Sequence, residues 1–446
     1  MAITIEDQPY TWSARGQKLM IVASSTNTAQ DGFQYGVTVT NYNTTQVFDF
    51  YISPAIDGKL YFDLQSLIQL RNLEAQGTQL HNLDTGTLDD TSATNNIVFS
   101  VAEWWIVAGV LTENAGSSVN SADCIYVNAY YQPTDGYKPN PNSGPQNVKF
   151  AMTNDSSLVM SDRQITTKYP PIFATWGVAA GKVAIAVREE DYGLLYVPGS
   201  DSFLGSNTAT KATVTLVTST GFGVASDIVL NSNNVEGVPV FPAKLNDRTG
   251  LFIARPSSNP NWRYYRVRMV NAVSAQVSAD YIFWNECVYG NCECNWPNVR
   301  LAWVGARGGY EYFNFKKKSE YTTEVDRKTY KRPLFNSSPT IFYANDRGLN
   351  QRTNLAQRIL TVTTDYITQQ EFIYLRGLIV SNQVHLVNDD GSYVSVNIDD
   401  TSYVEKTTYD GKLYNLTLKV RMANEYWTKH EWRGKFNCTQ QRKSRR

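Results

Sequence analysis

The sequence has few of the residues on which enzymes and disulfide-rich domains depend. Three of its 446 residues are histidines and they occur singly, so a histidine-based catalytic site is not expected. Five cysteines, a small and odd number, predict a reducing site of synthesis and no disulfide framework. No apolar run approaches the roughly 18 residues of a membrane span. The first residues, MAITIEDQPYTW, lack the apolar segment of a signal peptide, so none is expected.

Motifs for catalysis or cofactor binding are also missing. Ser219–Gly223 is rich in small residues but lacks the Lys-Ser/Thr pair of a P-loop. Asp389-Asp390-Gly391 lacks the calcium-loop spacing and predicts a hairpin turn. Glu189-Glu190-Asp191 follows a strand candidate and predicts a solvated turn rather than a pair of catalytic carboxylates. We therefore predict no catalytic residues and no cofactor.

Cys287, Cys292 and Cys294 have the only spacing that suggests a metal site. A structural zinc ion would need a fourth ligand, and Cys438 and the histidines are distant in sequence. Packed or solvent-shielded thiols are the favoured interpretation, with a local or late disulfide and a zinc site as open alternatives. We predict no metal ligands.

Aromatic and β-forming residues are abundant, with 28 Tyr, 18 Phe and 10 Trp. Together with frequent Thr, Val, Asn and Ser, they favour β-structure and large contact surfaces. The chain is also too long for one ordinary core. We predict a mainly β fold of two or three β-sandwich-like modules, with a few short helices and α+β character in the C-terminal module.

Breaker residues and strand spacing divide the chain into three predicted modules. Residues 1–145 form a β-rich module with one short helix, and its last residues belong to a proline-rich linker that begins at Gln132 and ends near Gln146. Residues 146–285 carry short strands with frequent turns, as in a sandwich. Residues 286–446 combine a β-hairpin, a helix, further strands and a basic tail.

Three local predictions concern the first module. Strand candidates Lys18–Ala23 and Phe33–Thr40 flank a turn-rich segment and predict a hairpin. Asp63 is placed to cap a short amphipathic helix. The most apolar run, Ile97–Thr112, has Glu103 as its only charge and predicts two buried strands.

The C-terminal module opens with two alternating runs that a Gly-rich turn joins into a predicted hairpin, residues 299–315. A polar run of strand-forming residues then ends at Tyr330, and Ser337–Arg352 is predicted to be irregular. Thr368–Glu371 has the form of a capping box in front of a helical stripe. Strands are predicted at Val384–Val387, Tyr393–Ile398 and Leu413–Arg421. The candidate interface residues are those of the hairpin: Trp303, Arg307, Tyr310, Tyr312, Phe313 and Phe315.

The net charge is zero, but the two signs are unevenly distributed. Residues 1–280 carry 17 Lys+Arg against 24 Asp+Glu, and residues 281–446 carry 24 against 17. The two parts could dock head to tail between copies, the basic part could face nucleic acid, or the charge could simply drift along the chain. The candidate contact residues of the basic tail are Lys435, Arg442, Lys443, Arg445 and Arg446.

The segment RLAWVGARGGYEYFNFKKKS and the following EVDRKTYKR resemble a motif of virion proteins from tailed phages, especially the crAss-like phages of Bacteroidota. MIVASSTNTAQDGFQYGVTV near the N-terminus and KLYNLTLKVRMANEY near the C-terminus are similar to the same proteins. Val304 and Gly305 stand where that family has Leu-Asn.

The resemblance implies a virion structural protein and not an enzyme. It would be a ring-forming component of the portal–tail (collar or tail barrel) assembly around the DNA exit channel. It further implies synthesis in the host cytoplasm and a homo-oligomeric ring of about twelve copies without membrane contact. The implied partners are the portal, other tail ring proteins and, through the basic tail, packaged DNA.

Two other functions remain open. A head-fibre or receptor-binding tail protein would more often show trimeric repeats or a carbohydrate-binding face, and the sequence has no internal repeat. A glycan-degrading tail enzyme would need two carboxylates about 5–9 Å apart in a groove, and no pattern indicates such a pair.

Overall fold

A computed structural model of the chain describes residues 3–8, 12–14, 19–41, 46–65, 67, 88–89, 94–120, 124–127, 183–198, 210–218, 221–230, 235–247, 256–258, 262–276, 280–289, 297–305, 310–331, 349–367, 369–381, 383–399 and 415–423.

The chain divides into two compact units. One comprises Met1–Gly290 together with Val304–Glu311, and the other comprises Asn291–Trp303 together with Tyr312–Arg446. Strands dominate the described residues, which confirms the predicted mainly β fold. The predicted module boundary at residues 145 and 146 lies outside the described ranges and stays a prediction.

The described strands up to residue 285 pair into four sheets. Their bounds are β1 (Ile3–Asp7), β2 (Trp12–Ala14), β3 (Met20–Ser25), β4 (Gln34–Asn41), β5 (Gln46–Ile52), β6 (Leu60–Asp63), β7 (Leu88–Asp89), β8 (Thr94–Val107), β9 (Val110–Glu113), β10 (Val119–Asn120), β11 (Cys124–Val127), β12 (Val183–Val187), β13 (Leu195–Pro198), β14 (Lys211–Thr218), β15 (Gly221–Val229), β16 (Val235–Val238), β17 (Trp262–Val270) and β18 (Tyr281–Asn285).

The strands that follow form one seven-stranded sheet. Their bounds are β19 (Val299–Val304), β20 (Tyr310–Phe315), β21 (Glu320–Lys331), β22 (Leu349–Thr363), β23 (Val384–Val387), β24 (Tyr393–Ile398) and β25 (Thr417–Met422). The helices are α1 (Pro242–Asp247), α2 (Glu286–Tyr289) and α3 (Gln369–Val380), and Pro256–Ser258 forms a 3-10 turn. None of the helices in the described ranges is long and apolar enough to cross a bilayer.

Two N-terminal sheets enclose one core. The smaller has the order β1-β3-β6, and the larger has the order β2-β11-β8-β4-β5, with β9 and β10 also paired to β8. Ile21 of β3 and Leu60 of β6 belong to the same buried cluster as Val37 of β4 and Phe99 of β8. The predicted hairpin of β3 and β4 is therefore wrong. The two strands lie in different sheets, because each directs its apolar side chains into the shared core from its own side.

Asp63 has the predicted capping geometry. Its Oδ1 accepts hydrogen bonds from the backbone nitrogen of Gln65 at 2.9 Å and from that of Leu19 at 3.1 Å. Gln65 and Leu67 are helical, and the rest of the predicted helix lies outside the described ranges.

The central strands form a five-stranded sheet of order β12-β18-β17-β14-β15 and a small sheet of order β13-β16-β7. β12 and β18 are parallel, whereas the other pairs of the larger sheet are antiparallel. The ring of Tyr265 stacks on that of Phe283 at 5.0 Å inside this unit. The strands predicted from 182, 212 and 264 are confirmed as β12, β14 and β17, and the one predicted at Leu251–Ala254 lies outside the described ranges.

The seven-stranded sheet has the order β20-β19-β23-β24-β25-β22-β21. Helix α3 follows the predicted capping box and packs Tyr374 against Trp303 of β19, with ring centroids 5.1 Å apart. Along β25, Leu418, Val420 and Met422 are buried while the residues between them face outward, which confirms the predicted alternation. Strands β23 and β24 also lie where they were predicted.

Candidate assembly surface

The aromatic residues predicted to carry an interface lie inside the protein. Trp303 is 0% exposed, and Tyr310, Tyr312 and Phe315 are also buried. All six residues of β19, which lies between β20 and β23 in the sheet, are buried, and Tyr374 of α3 packs on Trp303. These four side chains are core residues and cannot supply an exposed contact, which corrects the prediction for them.

Phe313 is the half-buried aromatic residue of this set, and its ring packs on Phe315 at 5.2 Å. Arg307 lies outside the described ranges, as do the tail residues Lys435, Arg442, Lys443, Arg445 and Arg446. Their predicted contacts stay predictions.

The cysteine prediction changes at one position. Cys287 is disulfide-bonded, so the favoured packed-thiol interpretation is wrong for this residue, and the disulfide alternative holds there. Cys292, Cys294 and Cys438 lie outside the described ranges. Within the described ranges, no cluster of three His, Cys, Asp or Glu side chains could hold a metal ion.

Polar residues meet where the parallel strands β12 and β18 end. Nε of Arg188 and Oε2 of Glu286 form a buried ion pair at 3.0 Å. Glu189 accepts a hydrogen bond from the indole nitrogen of Trp262 at 3.1 Å, and Asp191 accepts one from the backbone nitrogen of Arg188 at 3.0 Å. Glu189 and Glu190 are exposed as predicted, whereas Asp191 is buried. These contacts within the protein fit a structural role in holding the turn.

A long β-ribbon extends from the seven-stranded sheet. β21 pairs with β22 from Glu320 to Lys331, whereas β25 pairs with β22 only from Ile359 to Thr363. All twelve side chains of β21 are exposed. We call Val325–Lys331 with Leu349–Ala356 the arm, because among the described residues no third strand accompanies these two. Glu320–Glu324 with Gln357–Thr361 form its stem.

Charged contacts anchor the stem. Arg421 of β25 donates to both carboxylate oxygens of Asp399, at 2.9 and 2.7 Å, and contacts Glu324 at 3.2 Å. Hydrogen bonding to Arg421 holds the pKa of Asp399 below its usual value. The guanidinium of Arg358 lies 3.9 Å from the centroid of the Tyr321 ring. Through Arg421, these contacts tie the stem to β25 and to Asp399.

The two faces of the arm differ in charge. Alternation along β21 places Val325, Arg327 and Lys331 on one face, and Leu349 is opposite Lys331 in register. Val325 is 42% exposed and Leu349 is 59% exposed. We call these four residues the apolar-basic face. The other face carries Asp326 and Lys328, whose charges cancel.

A second exposed surface lies on the larger N-terminal sheet, on the side away from the core. It consists of Val47, Asp49 and Tyr51 of β5, Trp104 and Ile106 of β8, and Leu111 and Glu113 of β9, and we call it the acidic-apolar face. Tyr51 is 50% exposed and Ile106 is 42% exposed. The predicted strands of the 97–112 run are confirmed, but their distal ends are exposed rather than buried. Beyond Trp104, β8 has β9 as its paired strand and no partner in β4.

Trp104 lies across Gly36 on this face. A Cβ atom on Gly36 would come within 2.4 Å of the indole nitrogen of Trp104, so a larger residue there would force the Trp104 ring to move. The ring of Tyr51 meets that of Trp104 edge-on at 5.0 Å. Ala108 and Gly109 join β8 to β9 with φ values of 51° and 82°, as a tight two-residue hairpin turn requires.

A buried carboxylate holds the base of this hairpin. Glu103 is 0% exposed and accepts hydrogen bonds from the Ser25 hydroxyl, from the Asn27 amide at 3.1 Å and from the Asn114 amide at 2.7 Å. The carbonyl of Glu103 also accepts a hydrogen bond from the backbone nitrogen of Asn114 at 2.9 Å. Burial, with a smaller contribution from Glu103, raises the pKa of Tyr35 to about 12. The network ties β8 to the segment after β3 and to the turn after β9.

No protein-family model matches the chain, and no curated protein is significantly similar to it in sequence.

Sequence reasoning missed both surfaces. Leu349–Arg352, within the segment predicted to be irregular, belongs to β22, and the other residues of that segment lie outside the described ranges. All side chains of β21 are exposed, so its sequence has no apolar alternation to detect. The β-branched run of Ile359, Val362 and Thr363 was the available signal for β22. For the acidic-apolar face, the signal was the absence of any charge from Trp104 to Thr112.

Proposed function

We propose that this protein is a structural component of a tailed-phage virion, forming a ring in the portal–tail (collar or tail barrel) assembly around the DNA exit channel. The arm carries the proposal. A two-stranded ribbon by itself is marginally stable in water, and every side chain that β21 contributes is exposed. A ribbon of this kind gains stability when a neighbouring subunit covers it.

The charge distribution supports contact between copies. Residues 1–280 are acidic and residues 281–446 are basic, so the two ends of the chain attract in a head-to-tail arrangement. Contacts between two different surfaces of identical subunits generate a closed ring when the rotation between neighbours closes. The likeness of the 300–332 segment to virion proteins of crAss-like phages points to the portal–tail assembly as the place of that ring.

The experiment is native mass spectrometry of the purified chain, with negative-stain imaging. We expect closed rings of about twelve copies. Stable trimers would instead favour a head-fibre or receptor-binding protein, and a chain that stays monomeric at high concentration would contradict self-assembly.

A matched variant tests the arm. Glu324 and Gln357 face each other in register, so an Asn-Gly turn in place of residues 325–356 closes a shortened hairpin. We expect this variant to keep a β-rich circular dichroism spectrum and to lose ring formation. Rings that form equally well without the arm would show that the arm does not carry the assembly.

The basic tail has a separate predicted role at the portal, at DNA or at a neighbouring ring. Deletion of residues 430–446 is expected to reduce DNA retention in assembled virions, because it removes positive charge that neutralises phosphate. Unchanged assembly and retention would remove the tail from this role.

A further inference from the structure

We infer that the apolar-basic face of the arm docks on the acidic-apolar face of the N-terminal sheet of a second copy of this chain. The inference rests on the proposed ring-forming function and names the two surfaces that meet. Val325 and Leu349 of the arm are exposed, and so are Tyr51 and Ile106 of the N-terminal sheet.

Exposed apolar side chains indicate that each surface is covered in the assembled state. Val325 and Leu349 project from the arm, while Ile106 and Leu111 continue the aromatic patch of Tyr51 and Trp104. Contiguous exposed apolar surface, such as that around Tyr51 and Trp104, commonly marks an interaction site. Aromatic residues at the centre of such a patch are the usual anchors of a protein–protein contact.

The acidic-apolar face lacks positive charge, which favours a basic partner. The sequence has no Lys or Arg from residue 19 to residue 58, nor from residue 94 to residue 127, so the strands of the acidic-apolar face carry no positive charge. Asp49 and Glu113 lie on that face, and Asp31 is exposed beside Ile106, whose backbone nitrogen donates to the Asp31 carbonyl at 2.9 Å. An anionic membrane or nucleic acid would be repelled. A basic surface with apolar side chains is the complementary partner.

The arm supplies that complement on one of its two faces. Arg327 and Lys331 form no ion pair with any residue in the described ranges, and no acidic residue shares their face of β21 in the arm. Seven residues of extended strand span roughly 24 Å, which is long enough to cross the four strands from β5 to β9 at about 4.8 Å spacing. A ribbon that lies across these strands would cover the exposed apolar side chains of both surfaces at once.

Two adjacent arm residues provide a matched test. Arg327→Glu reverses a charge on the apolar-basic face, and Lys328→Glu makes a comparable change on the opposite face at the same distance from the stem. We expect Arg327→Glu to weaken self-association about tenfold and Lys328→Glu to change it less than about twofold, since only the former meets like charge in the contact. Sedimentation velocity over a concentration series, at low and high ionic strength, measures both.

Charge exchange completes the test. Glu113→Lys should weaken association in the otherwise native chain and should restore it when combined with Arg327→Glu. Thermal unfolding should be unchanged in all variants, because the three side chains are exposed. The docking would be overturned by equal effects of Arg327→Glu and Lys328→Glu, or by a failure of Glu113→Lys to restore association. In either case, ring formation by the native chain would still support the proposed function. A native chain that does not assemble would overturn both.

Discussion

Replacing the buried carboxylate of Glu103 by an aliphatic side chain should destabilise the N-terminal sheets. Glu103→Leu keeps much of the volume but removes the acceptor for the side chains of Ser25, Asn27 and Asn114. Each lost hydrogen bond contributes about 1–1.5 kcal/mol net. Burial of the leucine side chain offsets roughly 1 kcal/mol of this loss. The expected loss is therefore about 2–4 kcal/mol of unfolding free energy.

The assay is urea unfolding at low protein concentration, followed by tryptophan fluorescence, because Trp104 and Trp105 lie next to the substituted position. Glu113→Leu serves as the control, since Glu113 is an exposed carboxylate on the neighbouring strand, where a substitution changes stability by less than about 0.5 kcal/mol. If Glu103→Leu unfolds at the same urea concentration as this control, the hydrogen-bond network does not stabilise the sheets and the reasoning is refuted.

Three further predictions concern the second unit. Trp303→Ala should lower the free energy of unfolding by about 3–5 kcal/mol because it leaves a cavity in the core. If the variant lost assembly without losing stability, Trp303 would instead be an interface residue. Burial lowers the pKa of His385 below its usual 6.5. As the pH falls, the unfolded state therefore binds a proton before the folded state does, and the free energy of unfolding decreases below about pH 6.5. His385→Gln should reduce this pH dependence of the free energy of unfolding. An unchanged pH dependence would contradict the prediction. Arg421→Met should raise the pKa of Asp399, measured by NMR titration, and speed hydrogen exchange in the stem, and protection equal to that of the native chain would exclude Arg421 as its anchor.

Local sequence patterns predicted those elements whose contacts are close in the chain. The capping box before Phe372 led to the α3 helix, and the turn Asn388–Gly391 led to the β23–β24 hairpin. β25 was predicted because one of its faces is buried and the other faces solvent, so apolar and polar residues alternate along its sequence. In each case the residues that specify the element are neighbours in sequence.

Predictions failed where burial depends on a distant partner. Alternation in β19 suggested one outward face, yet every residue of the strand is buried, with Tyr374 of α3 packed on Trp303. The turn between β3 and β4 suggested a hairpin, yet the two strands pair in different sheets. The structure replaced the predicted interface residues by others for the same reason. Aromatic residues near Trp303 are enclosed, while Ile106 and Leu111 of the most apolar run remain exposed.

The sequence by itself determined the mainly β class, the opposite charges of the two parts of the chain and the absence of any positive charge in the strands around Trp104. These properties follow from composition and from patterns a few residues long. Only the tertiary structure decided which apolar side chains stay in water and that β21 and β22 extend beyond their sheet. Strand alternation tells which side chains share a face, but a face is buried only when a second layer from elsewhere in the chain lies over it.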